Sequence, residues 1–120
     1  MQSKVLLFLS FFIITSCNND KDIQRLLNSN MPNEIIKGTY DAGQSGDKKY
    51  VPLLLHNADD GREGTSLRFA LFTVYTEKMF ALERILRTKP PHPFGKTHTK
   101  PDSVNIKFYT ELWQNINRRK

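Results

Sequence analysis

The chain has 120 residues, a length that holds one domain with a small core. Hydrophobic residues make up 38% of it and aromatic residues 11%, and that much apolar surface excludes a solvated coil. The net charge of +6 is unevenly placed: residues 1–60 carry six Lys/Arg against seven Asp/Glu and residues 61–120 twelve against five, so acidic partners would meet the second half.

Cys17 is the only cysteine, which excludes an internal disulfide, and with three His the chain offers poor material for a zinc site. Its place in the sequence gives another reason for a thiol. Lys4 supplies a short basic start, and Val5 to Ile14 is apolar except for Ser10, well short of the roughly 20 residues of a spanning helix. Residues 1–16 therefore read as a secretory signal peptide and stand outside the fold. The stretch "ITSC" at 14–17 resembles the lipobox of bacterial lipoproteins. That resemblance implies cleavage before Cys17 and acylation of its sulfur and its new amino group. The residue types suit the chemistry: small Thr15 and Ser16 let a peptidase reach the backbone, and a thiolate accepts a diacylglyceryl group. Several acyl chains, at about 0.8 kcal/mol per buried CH₂, anchor a protein where one short chain does not. Residues 17–22 then read as lipidated cysteine and polar tether. Asn18 after the cysteine points to the outer membrane by the enterobacterial sorting pattern, and the acidic run resembles the surface-export tethers of Bacteroidota lipoproteins. The expected location is the bacterial cell envelope, on the periplasmic or the surface face.

Residues 23–120 read as one all-α domain, a small antiparallel bundle of four to five helices, because no strand alternation appears while helical spacing recurs. Behind Asp20, a natural cap, Ile23, Leu26 and Leu27 share a face of a short helix that ends near Asn28. Pro32 suits a first helical position and Glu34 the positive end of a second helix, with Ile35, Ile36 and Tyr40 on one face and Gly43 and Gly46 ending it. Asp47 caps a third, "KKYVPLLLHN", turning Val51, Leu54 and Leu55 inward. After the turn "ADDGREGTS", an apolar stripe through Leu67, Ala70, Leu71, Val74, Tyr75, Leu82, Ile85 and Leu86 predicts the longest helix, Ser66 to Arg87, about 30 Å long. Residues 88–101 hold four of the six prolines and form a loop. Asp102 caps a last helix expected to bury Ile106, Tyr109, Leu112, Trp113 and Ile116.

The stretch "GQSGDKKYVPLLL", residues 43–55, resembles a HEAT-like repeat: Gly43, Gly46, Asp47, Val51, Pro52 and Leu54 match in register, with Asp59, Asp60, Leu67 and Arg68 at the later positions. The resemblance covers about residues 33–87 and implies a helix pair from an α-solenoid, joined by a turn the glycines permit. Because the loop from Ala58 to Thr65 is longer than the pattern and only one unit occurs, the first and last helices are expected to cap it.

No GxSxG, HExxH or phosphate-loop pattern occurs, so no enzyme and no cofactor is expected. His56 beside Asp59 and Asp60 could be drawn as a base with carboxylates, yet Asn and Asp at a helix end make turns and a His there complements the helix dipole. The rival from another class is a small envelope metal-binding protein or hydrolase built on His56, His92 and His98. The proline loop has the form of a contact surface: Phe94 as an aromatic knob among Lys89, His92, Lys96, His98 and Lys100. The leading expectation is a lipid-anchored, non-catalytic interaction module whose partner is a protein or an anionic envelope component. An exported chain would not meet nucleic acid.

Overall fold

The computed structural model describes residues 19–67, 72–96 and 99–119. They form an all-α bundle: α1 over 19–27, α2 Pro32–Ser45, a 3₁₀ turn Lys48–Tyr50 running into α3 Val51–Leu55, α4 Val74–Leu86 and α5 Ser103–Arg118. An isolated antiparallel bridge joins Glu63 and Thr73.

Local signals set most of the boundaries. Pro32 opens α2, where its missing N–H costs nothing, and Gly46 closes it at φ 68°, the left-handed region that a residue without Cβ enters most easily. Asp47 accepts from the Lys49 N–H and caps the 3₁₀ turn. Asp102 caps α5 through the Val104 N–H at 2.8 Å. Helix α1 already includes residues 19–22, read from sequence as tether, and the Tyr50 hydroxyl donates to the Asp20 carboxylate at 2.5 Å, so the packed body begins at least as early as 19.

Helix α4 is the centre of the bundle. It packs most extensively on α2 and also meets α3 and α5, and every residue from Val74 to Met79 is buried. The main core gathers Ile23 and Leu27 of α1, Ala42 of α2, Val51 and Leu54 of α3, Tyr75, Met79, Leu82 and Ile85 of α4, and Tyr109 of α5. Ile35, Ile36 and Val74 form a second, smaller cluster.

Three expectations change. The longest element is α5, and α4 starts at Val74 rather than Ser66; Leu67, placed on its buried stripe, is fully exposed. The reason lies in the loop before it. The Asp60 carbonyl accepts from Tyr75 N–H (2.8 Å), the Arg62 carbonyl from Val74 N–H (2.9 Å), and the Thr73 hydroxyl from Thr76 N–H (3.0 Å). The N–H groups that a helix start leaves over are therefore satisfied in a buried setting only when the helix begins there. Gly43 does not end α2 but lies inside it, where a Cβ would come within 3.1 Å of the Ala81 Cα: it lets α2 approach α4 closely. Finally, α5 buries Tyr109 and Asn105 fully, while Ile106, Leu112, Trp113 and Ile116 are half-buried, as suits an outer helix covered on one side.

Candidate functional site

The proline loop is fixed to the bundle by polar groups on α5. The Tyr109 hydroxyl donates to the Thr88 carbonyl (2.8 Å). Fully buried Asn105 accepts from the His92 N–H (2.9 Å) and donates to the His92 carbonyl and to the Tyr75 hydroxyl (3.1 Å each). One side-chain amide thus does for the loop what a strand neighbour would do, pairing both backbone groups of one residue. The His92 ring meets the Asp102 carboxylate at 2.7 Å, a contact that, more than any other, holds the Asp102 carboxyl below its usual range. His92 is therefore engaged in holding the loop against α5.

Phe94, expected as a protruding knob, is half-buried and stacks edge-on against Phe80 of α4, with ring centroids 4.8 Å apart; Phe80 in turn meets Phe72 at 6.4 Å. Gly95 follows at φ 97°, and a Cβ there would lie 2.9 Å from Phe80 Cζ, so only glycine lets the loop pass over that ring. The outward ring of the three is Phe80, 40% exposed. It divides two grooves. One, of about 310 Å³, runs between α2 and α4 past Thr39, Gly43, Phe72, Glu77 and Arg84. The other, of about 290 Å³, lies on the loop side beside Glu83, Lys89, His92 and Phe94. Lys89, Lys96 and Lys100 are exposed, and of these Lys89 lines the loop-side groove, together with Glu83.

Two adjacent charges on α4 are buried. Lys78 is 4% exposed and donates from Nζ to the His56 carbonyl at 2.7 Å; burial pulls its pKa down, opposed by Asp60 and Asp59. It neutralises the carboxyl end of α3, the task expected of the His56 ring, which is exposed instead. Glu77 is 9% exposed, and burial pushes its carboxyl above the ordinary value, with Arg84 opposing. A folded-state pKa above the unfolded one means that ionised Glu77 weakens the fold above that folded pKa and does not weaken it below the unfolded value of about 4.3. Glu77→Gln should therefore raise the melting temperature by a few degrees at pH 7 to 8, with the gain disappearing as pH falls toward 4. Thermal unfolding followed by circular dichroism across that range checks it; a loss of stability at pH 7.5 would show that the carboxylate is well paired.

Among the described residues no group of three or more His, Cys, Asp and Glu could hold a metal ion, and no helix is long and apolar enough to cross a membrane. His98, Arg68 and Cys17 lie outside the described residues. Of the six expected surface residues, the structure brings His92 and Phe94 to one groove with Lys89. The sequence reading missed Phe80, Phe72, Glu77 and Thr39. Phe80 carried a signal, since it is a large apolar residue off the helical stripe of α4 and so has no place in the core. Comparison with known protein families, with characterised proteins and with solved structures finds no match to the chain.

Proposed function

We propose that the chain is a lipoprotein of the bacterial envelope, anchored through acyl chains on Cys17, whose helical body binds a protein partner without catalysing a reaction. The observation that carries the binding role is Phe80: a 40%-exposed ring, held between Phe72 and Phe94, with a groove on each side. Rigid aromatic groups in a recess with charged residues around them are the usual anchors of protein interfaces. Exposed Lys89 in the groove beside it favours an acidic group on the partner.

The anchoring rests on the sequence pattern from Lys4 to Cys17. A HEAT-like origin of the segment α2 to α4 belongs to the same proposal. The glycine-capped turn at Gly46, the Asp47 cap and the buried Val51 and Leu54 support it, while the start of α4 at Val74 is a departure from the repeat pattern.

Anchoring and binding are tested separately. In a Gram-negative host fed an alkyne-tagged fatty acid, the wild-type chain should take up label and Cys17→Ser should not; an unlabelled wild-type chain removes the anchor. A photo-reactive phenylalanine at position 80 should give one discrete adduct in intact envelopes of the native host, and the same group at exposed Lys107 of α5 should not. Indistinguishable smears from both positions would refute a binding surface at Phe80.

A further inference from the structure

The groove between α2 and α4 holds two polar groups that the fold leaves without partners. Thr39 on α2 is fully buried and its Oγ1 makes no hydrogen bond. Across from it on α4, Glu77 is 9% exposed and makes no side-chain hydrogen bond or ion pair with a described residue. Buried polar groups in folded proteins nearly always have partners, and an isolated carboxylate is the costliest exception. Helix α2 could have met Glu77 with a basic residue and α4 could have met Thr39 with a donor. Instead Thr39 Oγ1 is sealed from solvent, and Glu77 lines a recess whose other walls include Phe72, Phe80 and the flat Gly43 backbone.

This arrangement has the chemistry of an ammonium site. A carboxylate accepts N–H bonds from a primary ammonium group, and aromatic walls favour a cation near their faces. Arg84 adds a second requirement. It lines the same groove seven residues along α4 and acts on Glu77 through its charge without forming an ion pair. Two helical turns separate the backbones by about 10 Å, a gap that two long side chains reaching toward a common ligand can close. A ligand carrying only a positive charge would be attracted by Glu77 and repelled by Arg84, whereas one carrying both signs satisfies each, with the guanidinium taking the anion through two parallel N–H bonds. The volume of about 310 Å³ is that of a small-molecule site.

We propose that this groove binds a compact zwitterion, its ammonium group held by Glu77 beside the Phe72 and Phe80 rings and its anionic group held by Arg84. A phosphoethanolamine headgroup and an α-amino acid both carry that chemistry. The site stands independently of the acyl anchor and of any protein partner at Phe80.

The test is a titration of the full chain in nonionic detergent, followed by ¹H–¹⁵N NMR, with O-phosphoethanolamine, glycine, ethylamine and inorganic phosphate as separate probes. At least one zwitterion should give saturable shifts at Thr39, Gly43 and Ala81, with ethylamine and phosphate each about tenfold weaker or more, the change expected for one lost charge-assisted contact. Whichever zwitterion binds more tightly identifies the carrier. Glu77→Gln should weaken the zwitterion about tenfold or more, and Arg84→Gln should bring zwitterion and ethylamine to similar affinity. Arg84→Gln, at an exposed position, is the second variant should Glu77→Gln disturb the spectrum. Absence of saturable shifts with both zwitterions, phosphate binding as tightly as either, or wild-type affinity for the zwitterion in Glu77→Gln or Arg84→Gln would overturn the proposal.

Discussion

Replacing Asn105 with Ala should cost about 2–4 kcal/mol of stability and should release the proline loop before the rest of the bundle unfolds. The side chain is fully buried and makes three hydrogen bonds, two to the backbone of His92 and one to the Tyr75 hydroxyl. A typical hydrogen bond contributes about 1 kcal/mol net, and leaving a buried partner unsatisfied adds about 1–3 kcal/mol. The upper end of the sum is reduced because the His92 side chain is exposed and water can reach part of the released segment. Urea unfolding measures the total. The local effect is separable: with the His92 backbone no longer held, the contact of Phe94 on Phe80 weakens, and trypsin should cut after Lys96 well before it cuts the helices. Tyr75→Phe is the informative partner, because it keeps both bonds to His92 and removes only the hydroxyl. It should cost about 1 kcal/mol and leave the loop resistant to trypsin. Equal proteolysis of the two variants would mean that the loop is held by the prolines and Tyr109 rather than by Asn105.

The parts of this molecule that could be read from its sequence are those decided within a few residues. Pro32, Gly46, Asp47 and Asp102 each act on N–H or C=O groups next to them in the chain, and the structure finds all four where their chemistry places them. The start of α4 is different. Its first N–H groups are satisfied by carbonyls of Asp60 and Arg62, more than ten residues away, so the apolar stripe placed the start at Ser66 whereas α4 begins at Val74. Tertiary contacts outweighed periodicity. The candidate site divides along the same line. A basic, aromatic loop was legible because Lys89, Phe94 and Lys96 are close in sequence. That Phe94 lies against Phe80 was not, since the contact joins the loop to α4 through the left-handed Gly95. Glu77 and Lys78 were the least legible of all: charged residues in a helix usually face water, and here the packing of α2 and α3 around α4 buries both.

A second large effect is expected at Gly38 in α2, and its sign depends on which of two opposed effects is larger. Glycine inside a helix is about 1 kcal/mol worse than alanine, so Gly38→Ala would stabilise an isolated α2. In the folded protein the added Cβ would come within 2.7 Å of Leu26 Cβ, 3.1 Å of Leu27 N and 3.2 Å of Leu26 C. These atoms belong to the backbone of α1 and to the root of a side chain, so no rotamer change moves them away, and α1 must shift as a body. Overpacking of that kind costs about 1–3 kcal/mol, and the shift also strains Leu26 and Leu27, which are buried, and the hydrogen bond from Tyr50 to Asp20. Clash should outweigh propensity, so Gly38→Ala lowers the melting temperature and speeds amide exchange in α1 more than in α4. The pairing would matter for the proposed anchoring at Cys17, because α1 is the described element nearest that residue in the chain. If Gly38→Ala instead raised the melting temperature, α1 would not be packed on α2 at this distance.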